Sequence, residues 1–474
     1  MRITYPMSPA HSSHPDPQAA TQTSSYRHIW ALSWPIMLSN ITLPLVGAVD
    51  TAMMGHLPDP AFIGGVALGA VVLDFYFMFF SFLKMSTTGL AAQAYGRGDH
   101  KETQLILARA ASIGLAGGLL FLLGLPLILL LATSALQADP AVEQMMREYV
   151  AIRSLSVPAA LLSNTLLGWL FAHQAMRIGM FQLLVVNLLN IALNILFVVG
   201  LGWQIAGVAW ATVGAQWVGL VMTLMVMWAY RRSLRLESLR FTKAAFSYWA
   251  HWLQFFSLSR DITIRTVILF IVQSSLIIQA STMDVLSLAA MQITLSLFAL
   301  ISFGLDGFAH AAEALVGEAI GKKHLTNLQL VIRRSTYLAG LVAILMSALL
   351  YLCEPYLLSL YTTQAEIQQA VHQIWIWILL IPPASMVAFQ MDGVFIGAAQ
   401  GREMRNSISL AAILYIACLM ITPWIIPGID GLDALMLAFI IYLAARGVIL
   451  WRRLPVVMRQ AGAAKERAHV SGAC

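Results

Sequence analysis

The feature that most constrains this chain is a succession of apolar segments, each long enough to cross a lipid bilayer. A membrane-spanning helix needs about 20 mostly apolar residues, and lipid offers no hydrogen bonds to an open sheet edge. Charged residues make up only 11% of the chain, whereas soluble domains have about 25%. The sequence therefore predicts an all-α integral membrane protein with twelve transmembrane helices. Spans are predicted near residues 31–52, 62–85, 107–132, 149–172, 181–200, 206–229, 258–279, 285–304, 335–353, 370–390, 407–426 and 433–451.

Basic residues are sorted between the connections that join these spans. The odd-numbered connections lack Lys and Arg, apart from Arg147 near the start of the fourth span. Cytoplasmic loops carry the excess of Lys and Arg, so both termini and every even-numbered connection are predicted to be cytoplasmic. The basic residues of the even-numbered connections are Arg97, Lys101, Arg177, Arg231, Arg232, Arg235, Arg240, Lys243, Lys322, Lys323, Arg333, Arg334, Arg402 and Arg405, and those of the C-terminal tail are Arg452, Arg453, Arg459, Lys465 and Arg467.

Two short segments recur at a fixed distance along the chain. Residues 93–97 (QAYGR) resemble residues 318–322 (EAIGK), an offset of 318 − 93 = 225. The residues around Gly168 resemble those around Gly393 at the same offset, 393 − 168 = 225. Matches at one offset favour a duplication of six helices, with two six-helix lobes in the same orientation around a central cavity. Chance recurrence of a glycine followed by a basic residue is the alternative.

The predicted organisation follows from this duplication. Residues 1–25, rich in Pro, Ser, His and Gln, lack the apolar core of a signal peptide and are expected to form a disordered cytoplasmic tail. An N-lobe is predicted at 26–230, a cytoplasmic inter-lobe linker at 231–245, a C-lobe at 246–454 and a second cytoplasmic tail at 455–474. The three cysteines form neither a disulfide framework nor a zinc pattern, so no metal site is predicted.

Ionisable residues inside apolar spans are the first candidates for function. Asp50 lies deep in the first span, after the apolar run 45–49. Loss of hydration favours the neutral form of such a carboxyl group, which could then carry a proton across the membrane. An aspartate at the outer end of the helix is the alternative. Pro35 and Pro44 lie in the same span, and a proline can kink a helix.

Three amide side chains share one face of the fifth predicted helix, since Asn187, Asn190 and Asn194 are separated by three and four residues. They could bind Asp50 and line a polar pocket, or they could hold helices together as buried polar residues often do in membranes. Thr212 in the sixth span is a weaker member of the same set.

The second half of the chain offers further candidates. Arg260, Asp261 and Arg265 lie near the start of the seventh span. Asp261 and Arg265 have the spacing of an ion pair within a helix, and a structural role is favoured for them. Asp306 and Glu313 in the eighth helix and Asp392 in the tenth are each either a second coupling group or a buried structural partner.

The sequence resembles the multidrug and toxic compound extrusion (MATE) family, in its DinF-like branch, over about residues 26–455. The segments that carry the resemblance are 34–35 (WP), 49–55 (VDTAMMG), 190–194 (NIALN), 206–212 (AGVAWAT), 259–266 (SRDITIRT), 305–309 (LDGFA) and 391–398 (MDGVFIGA).

The resemblance implies twelve helices in two lobes, a V-shaped cavity and rocker-type alternation, with export of cationic or amphipathic compounds driven by protons or sodium. It matches Asp50 to the coupling carboxylate of the N-lobe and Pro35 to the proline about which the first helix bends. Some members carry a second acid at the position of Asn194, so Asp50 is expected to be the lone N-lobe acid. The polar cluster around that acid is matched by Asn190, Asn194, Thr212 and Tyr149.

We therefore expect a proton-coupled antiporter that exports amphipathic or cationic drugs or toxic metabolites, with sodium as the other possible driver. A flippase of a lipid-linked precursor is the first alternative, and it requires cationic side chains in the cavity to hold a diphosphate. A membrane enzyme or signalling protein is the second, although no catalytic motif or extramembrane domain is visible. The prediction is of a monomer in the bacterial inner membrane, with no nucleic-acid partner and no cofactor.

Overall fold

The structure, a computed structural model, describes residues 24–55, 61–234, 236, 249–426, 428–429 and 431–471. Within the described helices, the description covers the backbone alone at residues 41, 43–45, 48, 50–52, 54–55, 423 and 463–471. The predicted N-terminal tail and inter-lobe linker therefore lie almost wholly outside the described residues. The part of the chain that is described is almost entirely helical, as the apolar spans predict.

The helices of the first half are α1 (Tyr26–Gly55), α2 (Ala61–Phe79), α3 (Phe82–Gly96), α4 (His100–Leu136), α5 (Pro140–Ser154), α6 (Val157–Ala172), α7 (Met176–Asn194), which a π-helical turn extends over Ile195–Gly200, and α8 (Gln204–Ala229). Those of the second half are α9 (Trp249–Ser281), α10 (Val285–Gly321), α11 (Leu325–Tyr361), α12 (Ala365–Gln373), α13 (Trp375–Gly397), α14 (Gly401–Ile425) and α15 (Gly431–Ser471).

Length and composition identify the spans among these helices. Among the described residues, ten helical segments are long and apolar enough to cross a membrane, and the pair α5 and α6, bent by 51°, makes an eleventh when taken as one span. The α2–α3 span and α10 have 36 and 37 residues. Both are longer than the predicted spans 62–85 and 285–304, and longer than the about 20 residues that a bilayer core requires.

The predicted duplication is visible in the helix boundaries. Adding 225 to the bounds of α4, 100–136, gives the bounds of α11, 325–361. The same shift converts 140–172, the range of α5 and α6, into 365–397, the range of α12 and α13. Left-handed backbone recurs at the same offset, with φ of 75° at Gly98 and 57° at Lys323. The two halves therefore share these helix boundaries and connecting turns.

Aspartate caps begin several of these helices. Asp99 accepts a hydrogen bond from the backbone N–H of Glu102, and Asp284 accepts one from that of Ser287. Such caps satisfy backbone donors that the helix itself leaves free. Asp284 is fully exposed, and these hydrogen bonds from Ser287 lower the pKa of its carboxyl group.

The two lobes meet at one end of the bundle, which we call the even face because it carries the even-numbered connections, such as 97–99 and 322–324. Contacts between lobes join α3 to α10, α13 and α9, and α1 to α10. The inter-lobe hydrogen bonds of the described residues lie in this half of the molecule, at Ser81–Thr266, Lys84–His310, Ser86–Ser259, Gln93–Gly397, Glu102–His251 and Gln174–Glu318. We call this surface the inter-lobe contact.

The recurring segments predicted from sequence pack against each other at the inter-lobe contact. A Cβ atom at Gly96 would overlap the carbonyl oxygen of Glu318, and one at Gly321 would overlap that of Gln93. Because 318 and 321 are 93 and 96 shifted by 225, the two contacts are images of each other. Such reciprocity requires an approximate two-fold axis between the lobes. Only glycine allows the helix backbones this close an approach.

Candidate functional site

Buried asparagines of α7 hydrogen-bond with hydroxyl groups of two neighbouring helices of the N-lobe, and we call this set the amide chain. The Nδ2 atom of Asn187 donates to Thr42 Oγ1 of α1 at 2.5 Å, and that of Asn190 donates to Thr212 Oγ1 of α8 at 2.9 Å. Asn194 Nδ2 donates to Asn190 Oδ1 at 3.1 Å. The structure thus brings the three predicted asparagines and Thr212 together, as their helical spacing indicates.

Asp50 belongs to α1, one helix away from this amide chain, but its side chain lies outside the described residues. In the C-lobe, the positions 225 residues after Asp50 and Asn190 are Ser275 and Tyr415. Ser275 Oγ lies 2.9 Å from the hydroxyl oxygen of Tyr415, within hydrogen-bonding distance.

Two further residues of the predicted N-lobe site have clear surroundings. Pro35 is buried in α1, which runs as one helix through it. The ring of Tyr149 is buried in α5 and packs where a Cβ atom at Gly69 of α2 would lie. The guanidinium of Arg153 lies 5.7 Å from the centroid of the same ring.

In the C-lobe, one buried carboxylate binds two arginines. Asp392 of α13 accepts hydrogen bonds from Arg265 of α9 and Arg446 of α15 through the same oxygen, Oδ2. Their side chains are 8%, 7% and 3% exposed. These two ion pairs connect three helices of the C-lobe, α9, α13 and α15. We call this set the C-lobe ion triad.

The sequence-based pairing of Asp261 with Arg265 is wrong. Arg265 binds Asp392, whereas Asp261 accepts a hydrogen bond of 2.7 Å from Arg405 of α14 and bonds of 3.2–3.3 Å from the adjacent Arg260. The spacing of four residues allows a pair within one helix, but the helices that pack on α9 offer each side chain a partner of its own. The structural role favoured for this group agrees with these contacts.

The remaining charged side chains of the interior meet between the lobes. Lys84 Nζ of α3 lies 3.2 Å from His310 Nε2 of α10, and His310 Nδ1 lies 3.1 Å from Glu313 Oε1. Asp306, one turn before His310, is half-buried and near enough to interact with Lys84 through its charge. Two of the predicted C-lobe acids therefore lie at the inter-lobe contact, and the third, Asp392, lies in the ion triad.

Three further functional candidates carry a signal in the sequence. Lys84, His310 and Arg446 are ionisable residues in or beside predicted apolar spans, so the rule that selected Asp50 applies to them as well. Their partners lie on other helices and, for Lys84, in the other lobe. Spacing along the chain could not have identified those partners.

A buried histidine at the even face has a lowered pKa. His173 follows α6, outside the membrane-spanning segment, and its Nδ1 atom lies 2.9 Å from the carbonyl oxygen of Trp169. Its ring lies 3.7 Å from the Trp169 ring, centroid to centroid. Burial lowers the pKa of His173 to about 4, although the backbone hydrogen bond opposes the shift. The histidine is therefore neutral at physiological pH.

Groups of three or more His, Cys, Asp or Glu side chains placed to hold a metal ion do not occur among the described residues. The interior instead combines neutral amides in one lobe with paired charges in the other. Such an arrangement can exchange hydrogen bonds and protons, and it holds no constellation for nucleophilic catalysis within the described part of the chain.

Comparison with known proteins agrees with the two-lobed architecture. A sequence profile of the family described as MatE matches the chain twice, over residues 35–196 and 262–422, with one match in each lobe. Together the matches cover more than half of the chain. The chain belongs to the MATE family. MATE proteins are transporters and not enzymes, and they require no enzymatic cofactor.

Relatives cover nearly the full length of this MATE chain. It is 37% identical to the DNA damage-inducible protein F of Escherichia coli (strain K12) over 437 residues, which span 91% of this chain and 93% of that protein. It is 21% identical over 405 residues to a probable multidrug resistance protein NorM of Bacillus cereus (strain ATCC 10987 / NRS 248), spanning 84% and 87%. This MATE chain is thus a multi-pass membrane protein of the bacterial DinF type, consistent with the inner membrane.

Solved structures confirm the fold. The Vibrio cholerae MATE transporter VcmN in its bent form superimposes with a TM-score of 0.83 at 16% identity, covering 94% of this chain and 99% of that one. A eukaryotic MATE transporter, AtDTX14, gives a TM-score of 0.77 at 15% identity and covers 95% and 99%. The twelve helices in two six-helix lobes expected from the sequence are the architecture of this MATE protein.

Proposed function

We propose that this MATE protein is a proton-coupled antiporter that exports amphipathic or cationic compounds by alternating access. We place the even face and both termini in the cytoplasm, because the basic connections lie there and cytoplasmic loops carry the excess of positive charge. We further propose that residues 26–230 and 246–454 move as two bodies joined by a linker at 231–245.

The observation that carries this proposal is the one-sided contact between the lobes. Inter-lobe hydrogen bonds of the described residues lie in the even half, and glycines bring α3 against α10 there. With the even face in the cytoplasm, the protein is closed on the inside and its cavity faces outward. Separation of the lobes at the even face would produce the opposite state, which is the requirement of alternating access.

Asp50 is the proposed coupling residue. An ionised carboxylate next to Asn190 would accept amide hydrogen bonds, and protonation would remove part of its capacity to accept them. The amide chain through Asn187 and Asn190 would then rearrange against α1, which it contacts at Thr42. One proton that moves down 100 mV supplies about 2.3 kcal/mol. Sodium remains the competing ion, since a carboxylate with amide oxygens is also a ligand set for hard cations.

The substrate class follows from the relatives and from the charges. The B. cereus relative is named a probable multidrug resistance protein. A diphosphate-carrying lipid would need unpaired cations in the cavity. In the described part of the C-lobe, Arg265 and Arg446 are both occupied by Asp392. These pairings favour cationic or amphipathic substrates over the precursor of a flippase.

The test measures uptake of a fluorescent lipophilic cation into everted membrane vesicles that contain the wild type or Asp50→Asn. A pH gradient is imposed across the vesicle membrane, with and without sodium. The wild type should accumulate a fluorescent lipophilic cation when the proton gradient is present. The variant should insert at the same level and lose at least about tenfold of this activity, because an amide cannot titrate. Asp284→Asn, the same change at the exposed start of α10, is the matched control and should transport as the wild type does. Transport by Asp50→Asn at the wild-type rate would refute the assignment.

A further inference from the structure

The contact between Lys84 and His310 is a charged contact of the inter-lobe surface that lies deep within the bundle. Lys84 follows the break at residues 80–81, where the α2–α3 span is interrupted. It lies 12 residues before the end of α3 at Gly96, and His310 lies 11 residues before the end of α10 at Gly321. At 1.5 Å per residue, both residues are about 17 Å from the even face.

The geometry specifies the protonation state of the imidazole. An ammonium group has three donors and no acceptor. Lys84 Nζ, 3.2 Å from His310 Nε2, must therefore donate, and Nε2 must accept. The ring then carries its proton on Nδ1, which lies 3.1 Å from Glu313 Oε1 but makes no hydrogen bond there. The closed inter-lobe contact requires a neutral His310.

An aromatic ring of α6 lies close to both Lys84 and His310. The Nζ atom of Lys84 is 5.8 Å from the centroid of the Phe171 ring. The same ring lies 5.2 Å from the His310 ring. A proton on Nε2 would place two cationic groups at 3.2 Å, inside a medium where charges are screened far less than in water.

We propose that His310 is a second proton-binding site, and that its protonation and the closed inter-lobe contact exclude each other. The proposal rests on the alternating access proposed above, but it does not depend on Asp50 as the coupling residue. Protonation of His310 would separate Lys84 from α10 and open the even face. Closure would require the proton to leave first.

The other charged groups around His310 favour its protonation once Lys84 has moved away. From α10, Glu313 is 3.1 Å from Nδ1, and Asp306 lies one turn earlier. From α13, Asp392 is near enough to act on Asp306, but its own charge is taken up by Arg265 and Arg446. From α6 comes the uncharged ring of Phe171. Two acids thus remain to stabilise an imidazolium in the open state.

Thermodynamic linkage converts this arrangement into a pH response. A proton that binds only the open state shifts the equilibrium towards that state, by up to about tenfold for each pH unit below the midpoint. The N-lobe has no counterpart of this histidine, because the residue at the equivalent position is Met85 (310 − 85 = 225). Methionine is therefore a suitable substitution at position 310.

The experiment measures the distance between the lobes and not transport. Spin labels are placed at Lys101 and Thr326, exposed equivalents in the first turns of α4 and α11, after Cys353, Cys418 and Cys474 are replaced by serine. Double electron–electron resonance in lipid nanodiscs is recorded between pH 8 and pH 5 without substrate. In the wild type, a longer distance should grow at the expense of the short one, by about tenfold in ratio for each pH unit below the midpoint.

Variants decide whether His310 is the cause. His310→Gln, whose amide oxygen can still accept from Lys84, should keep the short distance at every pH. His310→Met serves the same purpose if the glutamine variant does not fold. Lys84→Met removes the conflicting charge and should abolish most of the response. A wild type without a pH response, or a full response in His310→Gln or Lys84→Met, overturns the proposal.

Asp50→Asn separates this proposal from the function proposed above. It should lose transport and keep the pH-dependent change in distance. If the response disappears in Asp50→Asn and persists in His310→Gln, the proton that opens the even face binds at Asp50 and the proposal for His310 fails. Normal transport by Asp50→Asn would refute the coupling role alone.

Discussion

The two lobes share a backbone and differ in their polar interiors. Where the C-lobe has Arg265, Asp392 and Arg446, the N-lobe has Asn40, Leu167 and Val221, each 225 residues earlier. Conversely, the N-lobe places its asparagines where the C-lobe has residues such as Tyr415. At the positions of the C-lobe ion triad the N-lobe thus has uncharged residues, and its asparagines form neutral hydrogen bonds.

This difference indicates how the lobes divide their tasks. Hydrogen bonds between helices in membranes contribute about 0.6 kcal/mol each, so an amide chain can exchange partners at low cost. A buried ion pair that loses one member costs about 3–5 kcal/mol. We infer that the N-lobe rearranges during the cycle while the C-lobe ion triad keeps α9, α13 and α15 together.

The largest effect is expected from the removal of the central acid of the triad. Asp392→Leu leaves two guanidiniums buried without a counter-charge, and it should destabilise the protein by about 3–5 kcal/mol. The measurement is thermal unfolding of purified protein by tryptophan fluorescence. Replacement of all three residues with apolar ones, Arg265→Met, Asp392→Leu and Arg446→Met, should recover most of the loss. If the midpoint of thermal unfolding stays low in the triple variant, the triad stabilises the protein by more than charge pairing.

Acid should destabilise the N-lobe through His173. Its pKa is about 4 in the folded protein, below the ordinary 6.5, so the unfolded chain takes up this proton first. The free energy of unfolding does not depend on His173 above pH 6.5. It falls between pH 6.5 and 4, by about 3 kcal/mol at most, because only the unfolded chain binds the proton there. His173→Phe, which keeps the ring stacking on Trp169, should flatten this part of the profile. The C-lobe equivalent of His173 is Ala398 (398 − 173 = 225), so Ala398→Ser is the control that should leave the profile unchanged.

Side chains added at the inter-lobe contact should favour the open even face. Gly321→Val places atoms on the carbonyl oxygen of Gln93, and overpacking of this kind costs about 1–3 kcal/mol in the closed state. The longer distance between labels at Lys101 and Thr326 should then dominate even at pH 8. Gly124→Ala, whose nearest neighbour is Ile128 Cδ1 at 3.8 Å, should behave as the wild type does. An unchanged distance in Gly321→Val would show that the lobes separate along another surface.

The smallest change in stability is expected in the amide chain. Asn190→Leu removes the hydrogen bonds to Thr212 and from Asn194, for about 1 kcal/mol. Its effect on transport should be far larger than its effect on the midpoint of thermal unfolding. Thr223→Val, which removes a buried hydroxyl bonded within its own helix, is the matched control. If Asn190→Leu and Thr223→Val reduce transport equally, the asparagines have a structural role, which is the alternative that their spacing leaves open.

Much of the architecture could be predicted from the sequence, because the bilayer imposes the length and polarity of each span. The offset of 225, read from two short matches, agrees with the boundaries of whole helices. The clustering of Asn187, Asn190 and Asn194 also followed from local periodicity. Partnerships between distant helices did not follow: Arg265 turns to Asp392 and away from Asp261, and Lys84 meets a histidine in the other lobe. Such pairs depend on helix rotation and packing, which no spacing within one helix specifies.

The close approach at Gly96 and Gly321 has a consequence for solvent. There the backbones of α3 and α10 meet, and the Gln93 side chain donates to the carbonyl oxygen of Gly397 at 2.9 Å. If the lobes part there, the Gln93 amide and the Gly397 carbonyl lose each other as partners and must be hydrated, since a buried polar group without a partner is costly. We therefore expect water to enter between the helices whenever this contact opens.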